Sequence, residues 1–296
     1  MVTYTYCPVC KSNRLEDNLS AKDYTVSSEV FVIVKCNNCT LLFTQNVAKQ
    51  NEIGRYYASE NYISHSDTQA GLINKLYHAI RKKTLASKRN LIESETGKSN
   101  GNILDIGCGT GAFLHTMEKG GWKITGLEPD ETARAKAQTL YGIDPQPSNN
   151  IFNLQDNSYD AITMWHVLEH VHQLNEYVEQ LKNMLTDNGK IFIAVPNYTS
   201  YDAQHYGQFW AAYDVPRHLY HFSPDSMKRL VEQHGLTIKK IKPMWFDSFY
   251  VSMLSEQYKN GKRNLIKAFL VGLVSNIKTL FNSKKCSSLI YIIKKS

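Results

Sequence analysis

The chain of 296 residues has no run of 18 apolar residues, so nothing in it reads as a membrane-spanning helix. It has no internal repeat and no low-complexity tract, which argues against a solenoid or a disordered linker. From Gln257 to Ser296 there is no Asp or Glu, against eight Lys and one Arg. The net charge of +7 therefore resides at that end, and the rest is close to neutral. Such a basic segment is either a solvated surface or a contact for an anionic partner: membrane surface, nucleic acid or glycan phosphate. The opening residues, Met1 to Thr5, are short and polar, unlike a secretion signal, and a cytoplasmic location is expected.

Cysteine is scarce, but four of the six are placed as Cys7-x2-Cys10 and Cys36-x2-Cys39. In a chain without a secretion signal this double spacing points to tetrahedral zinc rather than to disulfides. Four thiolates leave no open coordination position, so the expected site is structural. Residues 1–44 are then a small zinc-ribbon module, with strands at "VFVIVKC" (Val30 to Cys36) and "LLFTQ" (Leu41 to Gln45). Residues 45–100 form a connector with a helix over about 70–94, where Leu72, Ile73, Leu76, Tyr77, Ile80, Leu91 and Ile92 recur near helical spacing. "SETGKSNG" closes it.

Past Gly101, strands and helices alternate: "NILDIG", "GAFLHTMEKGG", "WKITGLEP", "ETARAKAQTLYG", "SYDAITMWHV", "LNEYVEQLKNMLTDNG", "KIFIAVPN". This rhythm predicts an α/β fold, a Rossmann-like, mostly parallel sheet with helices on both faces, over 101–296, with an insert at about 247–286. Ligands of such sheets bind at the strands' carboxyl ends.

The first strand runs into Asp105-x-Gly107-x-Gly109-x-Gly111. The dinucleotide spacing GxGxxG is missing, because the third glycine comes one residue early. Asp105 beside the turn would repel a pyrophosphate but suits an ammonium. Glu128, ending the next strand, can accept hydrogen bonds from two ribose hydroxyls. An amino acid and a ribose without phosphate describe S-adenosylmethionine.

These blocks, "LDIGCGTGAFL", "GLEPD", "NSYDAITMWHVLEHV" and "LTDNGKIFIAVPN" in that order, resemble the class I S-adenosylmethionine-dependent methyltransferases over roughly residues 100–245. The resemblance implies that Gly107, Cys108, Gly109 and Gly111 line the methionine and ribose, that Glu128 holds the ribose, and that Trp165 and His166 flank the methionine part. An acidic residue that often grips the adenine amino group falls near Asn150 here, whose amide oxygen can still accept that bond. Tyr57 and Tyr62 of "YYASENYISH" would close over the cofactor as a lid, or pack between module and core.

A base is needed when the acceptor is a hydroxyl, an ammonium or an acidic carbon. His166-Val-Leu-Glu169-His170 also matches the H-x-x-E-H pattern of some zinc peptidases, but it follows a strand directly instead of lying within one long helix. Its alternative role is to open a helix and orient a loop. The second cluster, "YDVPRHLYHFS", offers Tyr213, Asp214 and Arg217 as acceptor contacts, with Arg217 gripping a phosphate or carboxylate. It also offers His218, then His221, as general base; Tyr220 and His166 are further candidates. A packed aromatic loop is the competing reading.

Among class I enzymes the four-cysteine module is similar to that of the deoxysugar methyltransferases. "PRHLYHFS" resembles the acceptor segment of bacterial methyltransferases associated with surface polysaccharide. Together they imply methyl transfer to a sugar or glycan precursor. An RNA methyltransferase and a non-catalytic S-adenosylmethionine-binding protein are the alternatives. The segment Asn264 to Phe281 is expected to be a helix on the sheet edge or at a dimer contact, or an amphipathic membrane-surface helix.

Overall fold

The computed structural model describes residues 1–57 and 72–296, with side chains from 83 onward in the second span. Tyr62 lies outside the described residues. The strands are β1 (Leu15–Lys22), β2 (Val30–Cys36), β3 (Leu42–Thr44), β4 (Gly101–Ile106), β5 (Trp122–Leu127), β6 (Tyr159–Trp165), β7 (Leu185–Pro196), β8 (Tyr220–His221), β9 (Leu236–Pro243) and β10 (Ser288–Lys295). The α-helices are α1 (Leu72–Thr96), α2 (Ala112–Glu118), α3 (Glu131–Tyr141), α4 (Leu174–Met184), α5 (Tyr201–Tyr206), α6 (Pro224–Glu232), α7 (Asp247–Asn260) and α8 (Leu265–Phe281).

Six strands form the central sheet in the order β5-β4-β6-β7-β10-β9. The first four are parallel, and β10 runs antiparallel to both of its neighbours. Side chains alternate across a strand, so each strand feeds two layers. Leu104, Ile106, Ile162, Met164, Ile191, Ile193 and Ile293 pack with α4 and α6. Ile103, Ala161, Phe192 and Ile292 pack on the other face with Ile92 of α1 and with Phe113 and Met117 of α2. This is the expected three-layer α/β architecture. The helix termini are sequence-encoded: Asp130 caps α3 by accepting from Ala133 N–H, and Ser223 and Ser226 form a capping box on α6.

The amino-terminal module is less separate than its motif suggests. Its sheet has four strands, β1-β2-β3-β8, and β8 comes from "RHLYHF", far along the chain. Leu42 pairs with His221 and Phe43 with Tyr220. The module's Cys7, Val9, Val34, Leu41 and Phe43 belong to the same apolar cluster as α4 and α6. Neither β1 nor the two-residue β8 has an apolar run long enough to announce it.

The loop after β7 also holds more structure than its sequence promises. It contains α5, two short 3-10 turns and β8. Its anchor is Arg217, 1% exposed. The guanidinium donates to Asp214 (Nη2 to Oδ1, 2.6 Å), to Asp23 (Nη2 to Oδ1, 3.0 Å) and to the Tyr56 carbonyl (2.8 Å). Asp23 also accepts the backbone N–H groups of Thr25 and Ser27, which shapes the β1–β2 turn. Arg217 is therefore not the phosphate grip expected from sequence: it is enclosed and neutralised by two carboxylates. Asp214 is spent on the same ion pair. Tyr213, 5% exposed, stands edge-on to Trp210 and His221 in the core instead of meeting an acceptor.

Removing one partner of a buried ion network strands the others. Arg217→Ala should cost about 3–5 kcal/mol in urea unfolding. A loss within the ordinary surface range of about 0.5 kcal/mol would show that the network is not what holds the module to the loop.

Candidate active site at the carboxyl ends of the parallel strands

The glycine turn lies between β4 and α2, where the parallel strands end. Gly107 and Gly109 both have positive φ, +72° and +55°. A Cβ on Gly107 would stand 2.4 Å from the Val167 side chain, so glycine lets the turn press against the segment after β6. A Cβ on Gly109 would meet nothing within 4 Å: there the bare backbone faces open space. Cys108 between them is 8% exposed, and Gly111 precedes α2 with φ +80°.

Two carboxylates border the turn. Glu128 accepts from Gly109 N–H (2.8 Å) and Asp130 N–H (3.0 Å), so its oxygens lie against the loop that faces open space. Burial raises its pKa. Asp105 accepts from Thr163 Oγ1 at 2.5 Å, and burial pushes it up to about 7. Lys88 of α1 is a member of this site that sequence reading missed. Its ammonium stands 4.1 Å over the Trp165 ring. Burial lowers it to about 8, against the pull of Asp105 and Asp247. No motif marks Lys88, because a long helix brings it over the sheet from outside the glycine-turn blocks. Trp165 closes β6 and stands edge-on to Phe113. Asn150 lies in the 3-10 turn Ser148–Asn153, beside the single parallel bridge between Leu127 and Gln146. Its Nδ2 donates to Gln146 Oε1 at 3.2 Å.

The segment after β6 carries the histidines. His166 takes φ +58°, a left-handed conformation uncommon for a residue with a side chain. Its ring lies between Glu169 (Nδ1 to Oε1, 3.4 Å) and Asp247 (Nε2 to Oδ2, 3.1 Å). Burial opposes its charge, but bonding to Asp247 and Glu169 outweighs that and raises its pKa to about 10. A histidine held protonated near neutral pH cannot serve as the base expected of it. Glu169 is fully buried, and His166 Nδ1 at 3.4 Å is the nearest group able to donate to it among the described residues. It depends on the charges around it.

His170 and His218 meet edge to face at 4.6 Å. His170 Nδ1 lies 3.1 Å from the Arg217 carbonyl and 3.0 Å from Tyr57 Oη. His218 Nδ1 lies 2.9 Å from the Ala212 carbonyl. A carbonyl can only accept, so each Nδ1 carries a proton; His218 Nε2 lies 3.9 Å from Asp214 Oδ2. Burial first, and then the neighbouring His218, lower His170 to about 4. Glu169, His170 and His218 also bring one donor atom each within 4.8 Å of one another, a set able to hold a cation.

Two other candidates are structural. His221 is 4% exposed on β8, with Nε2 3.1 Å from Thr44 Oγ1. Burial keeps it neutral by lowering its pKa well below the usual value. Tyr220 is buried, its hydroxyl donating to the His172 carbonyl at 3.3 Å, and burial raises its pKa. Strand pairing with the amino-terminal module turned both away from a catalytic role.

At the far end of that module Cys7 Sγ lies 3.5 Å from Cys39 Sγ, and Cys10 Sγ 3.5 Å from Cys36 Sγ. All four sulfurs fall within 4.8 Å of one another. A disulfide would need about 2.05 Å. Four thiolates at about 2.3 Å from one tetrahedral ion would lie about 3.8 Å apart, so the cluster fits zinc.

A mostly parallel sheet, a glycine turn open to a ligand at its carboxyl edge and a carboxylate ending the next strand together define a Rossmann-like, nucleoside-binding α/β protein. The chain belongs to the methyltransferase domain family, which matches residues 77–241. It is 25% identical over 182 residues to the mitochondrial ubiquinone biosynthesis O-methyltransferase of Rattus norvegicus, covering 54% of this chain and 53% of that protein. It is 27% identical over 185 residues to the ubiquinone biosynthesis O-methyltransferase of Aeromonas salmonicida (strain A449), covering 56% and 75%. The chain thus spans about half the length of the mammalian relatives. The same fold is found in magnesium protoporphyrin IX methyltransferase from Synechocystis PCC 6803 with bound SAH, at TM-score 0.52 and 13% identity, over 82% of this chain and 99% of that one.

A histidine whose pKa is raised on folding adds stability that is complete below its unfolded value and lost as pH rises through the folded one. Wild-type protein should therefore lose a component of thermal stability between about pH 6.5 and 10. His166→Gln should lack that component, as read by melting temperature across pH. Parallel curves for the two proteins would refute the charged pairing.

Proposed function

We propose that this chain transfers a methyl group from S-adenosylmethionine to a hydroxyl of a small polar acceptor, with His218 as general base. The observation that carries the reading is the orientation of His218. Its Nδ1 proton is held on a backbone carbonyl, so Nε2, 3.9 Å from Asp214 Oδ2, is the nitrogen that would exchange a proton with an acceptor. S-adenosylmethionine would supply an activated methyl group there. Glu128 would accept from the ribose hydroxyls, and Asp105 would hold the amino-acid ammonium. Gly109 would let the backbone lie against the ligand. The open space at Gly109 and the two carboxyl groups bordering the turn fit that group.

The residues divide the work. His218 Nε2 would take the proton of the acceptor hydroxyl as that oxygen receives the methyl group. Glu169, buried beside the histidines, would stabilise the imidazolium so formed. Oxygen as the methylated atom draws support from the relatives' names. A sugar or glycan precursor is the acceptor class we put forward, with a quinone precursor as the comparison. The burial of Arg217 leaves it unable to grip a phosphate or carboxylate of the acceptor.

The test is a radiolabelled methyl-transfer assay over hydroxylated sugars and quinone precursors, together with calorimetry of cofactor binding. His218→Asn should lower kcat by about 10²–10⁴ and leave cofactor affinity unchanged. Glu128→Gln should weaken cofactor binding by about 1–3 kcal/mol. A His218→Asn enzyme with wild-type kcat would remove the histidine base.

The four thiolates are read as a structural zinc centre that fixes the β2–β3 end of the module. Stripping the ion with a strong chelator under mild denaturant should release one zinc per chain and lower the melting temperature, because about 10–16 kcal/mol of binding free energy is folding free energy at such sites. Purified protein without zinc and with an unchanged melt would refute this reading.

A further inference from the structure

Helix α8 is built inside out. The residues it buries are small or polar-faced: Ala268, Val271, Gly272, Ser275 and Thr279. Gly272 presses on α7 so closely that a Cβ would come within 2.8 Å of the Phe249 ring. The large apolar residues are mostly turned outward, with Phe269 also stacked on Phe249 of α7. Ile266 is 78% exposed, Phe269 56%, Leu270 53%, Ile277 44% and Leu280 72%. Their spacing, 266, 269/270, 273, 277, 280, is one continuous helical face about 21 Å long. A contiguous apolar face of this kind on a folded chain marks a place where something else binds.

Charge decides what that is. Lys259, Lys262 and Arg263 lie just before α8 and Lys284 just after it, all exposed, and no acidic residue occurs from Gln257 onward. Lys267 is held by Glu256 at 3.2 Å, and Lys278 lies over the Tyr201 ring, so these two support the helix on the body. A second copy placed face to face would bring two basic rims together with nothing on this segment to neutralise them. A bilayer with anionic headgroups answers both features, the apolar stripe and the basic rim. Among the described residues no helix is long and apolar enough to cross a membrane, so the helix would lie in the interface.

We propose that the outer face of α8 docks this protein on an anionic membrane surface. The adjoining α7, on which α8 packs through Gly272, begins at Asp247, which contacts His166. The inference concerns this surface and stands apart from the identity of the methyl acceptor.

The experiment is vesicle flotation of the full chain with phosphatidylcholine–phosphatidylglycerol vesicles and with phosphatidylcholine alone. Binding to the anionic vesicles that weakens in high salt is expected. The triple variant Ile266→Ser, Leu270→Ser, Ile277→Ser should reduce the bound fraction more than about tenfold. A readout on wild type alone guards against a misfolded variant: Trp245, 39% exposed and next to Asn276 of α8, should be quenched by vesicles with brominated acyl chains. Failure to float with anionic vesicles would overturn the proposal. So would the absence of quenching, or a stable dimer that the triple variant dissociates without any vesicle binding.

Discussion

The buried guanidinium of Arg217 is the interaction on which the arrangement depends. It joins Asp23 of the amino-terminal module, Asp214 of the loop after β7 and the carbonyl of Tyr56 at the start of the connector. Three distant parts of the chain share one charge. Immediately after it, β8 completes the module's sheet, and His218 is fixed between that strand and the end of β6. A fully enclosed cation costs desolvation free energy unless each donor is used. That requirement makes the loop's path specific and fixes which of its side chains remain available for chemistry.

The same economy of charge runs through the site. Glu169 is fully buried, with the His166 ring 3.4 Å away as its counterion. His166 is pinned as a cation by Glu169 and Asp247, and His170 is kept neutral by burial and by its histidine neighbour. Environment has thus divided three chemically identical side chains into a fixed charge, a neutral ring and a directed proton acceptor. Lys88 brings a further cation close to Asp105.

The two ends of the protein solve the burial problem in different ways. The amino-terminal module has a small apolar core and borrows a strand and a wall from the body, with the cysteine cluster closing its tip. Helix α8 gives its small residues to the body and keeps its large ones outside. A helix packed through Gly272, Ser275 and Thr279 approaches its neighbour closely at little loss of side-chain entropy, and it leaves the strongest apolar face unspent.

Much of this was determined by the sequence alone. The β–α alternation, the turn at Gly107 to Gly111, Glu128 at the next strand end, the cysteine pairs and the caps at Asp130 and Ser223 are local signals. Each depends on a few neighbouring residues whose backbone geometry or spacing admits little else. What only the tertiary structure decided is which polar residues are spent on folding. Arg217, Asp214, Tyr213, Tyr220 and His221 carry the chemistry of a binding loop, yet strand pairing and one buried ion network consume them. Lys88 carries no motif, yet a helix delivers it to the site. The sign of α8 was equally undecided, because periodicity gives the width of an apolar stripe and not the side that meets the protein. Burial and pairing are properties of non-local contacts, and no window of sequence contains both partners.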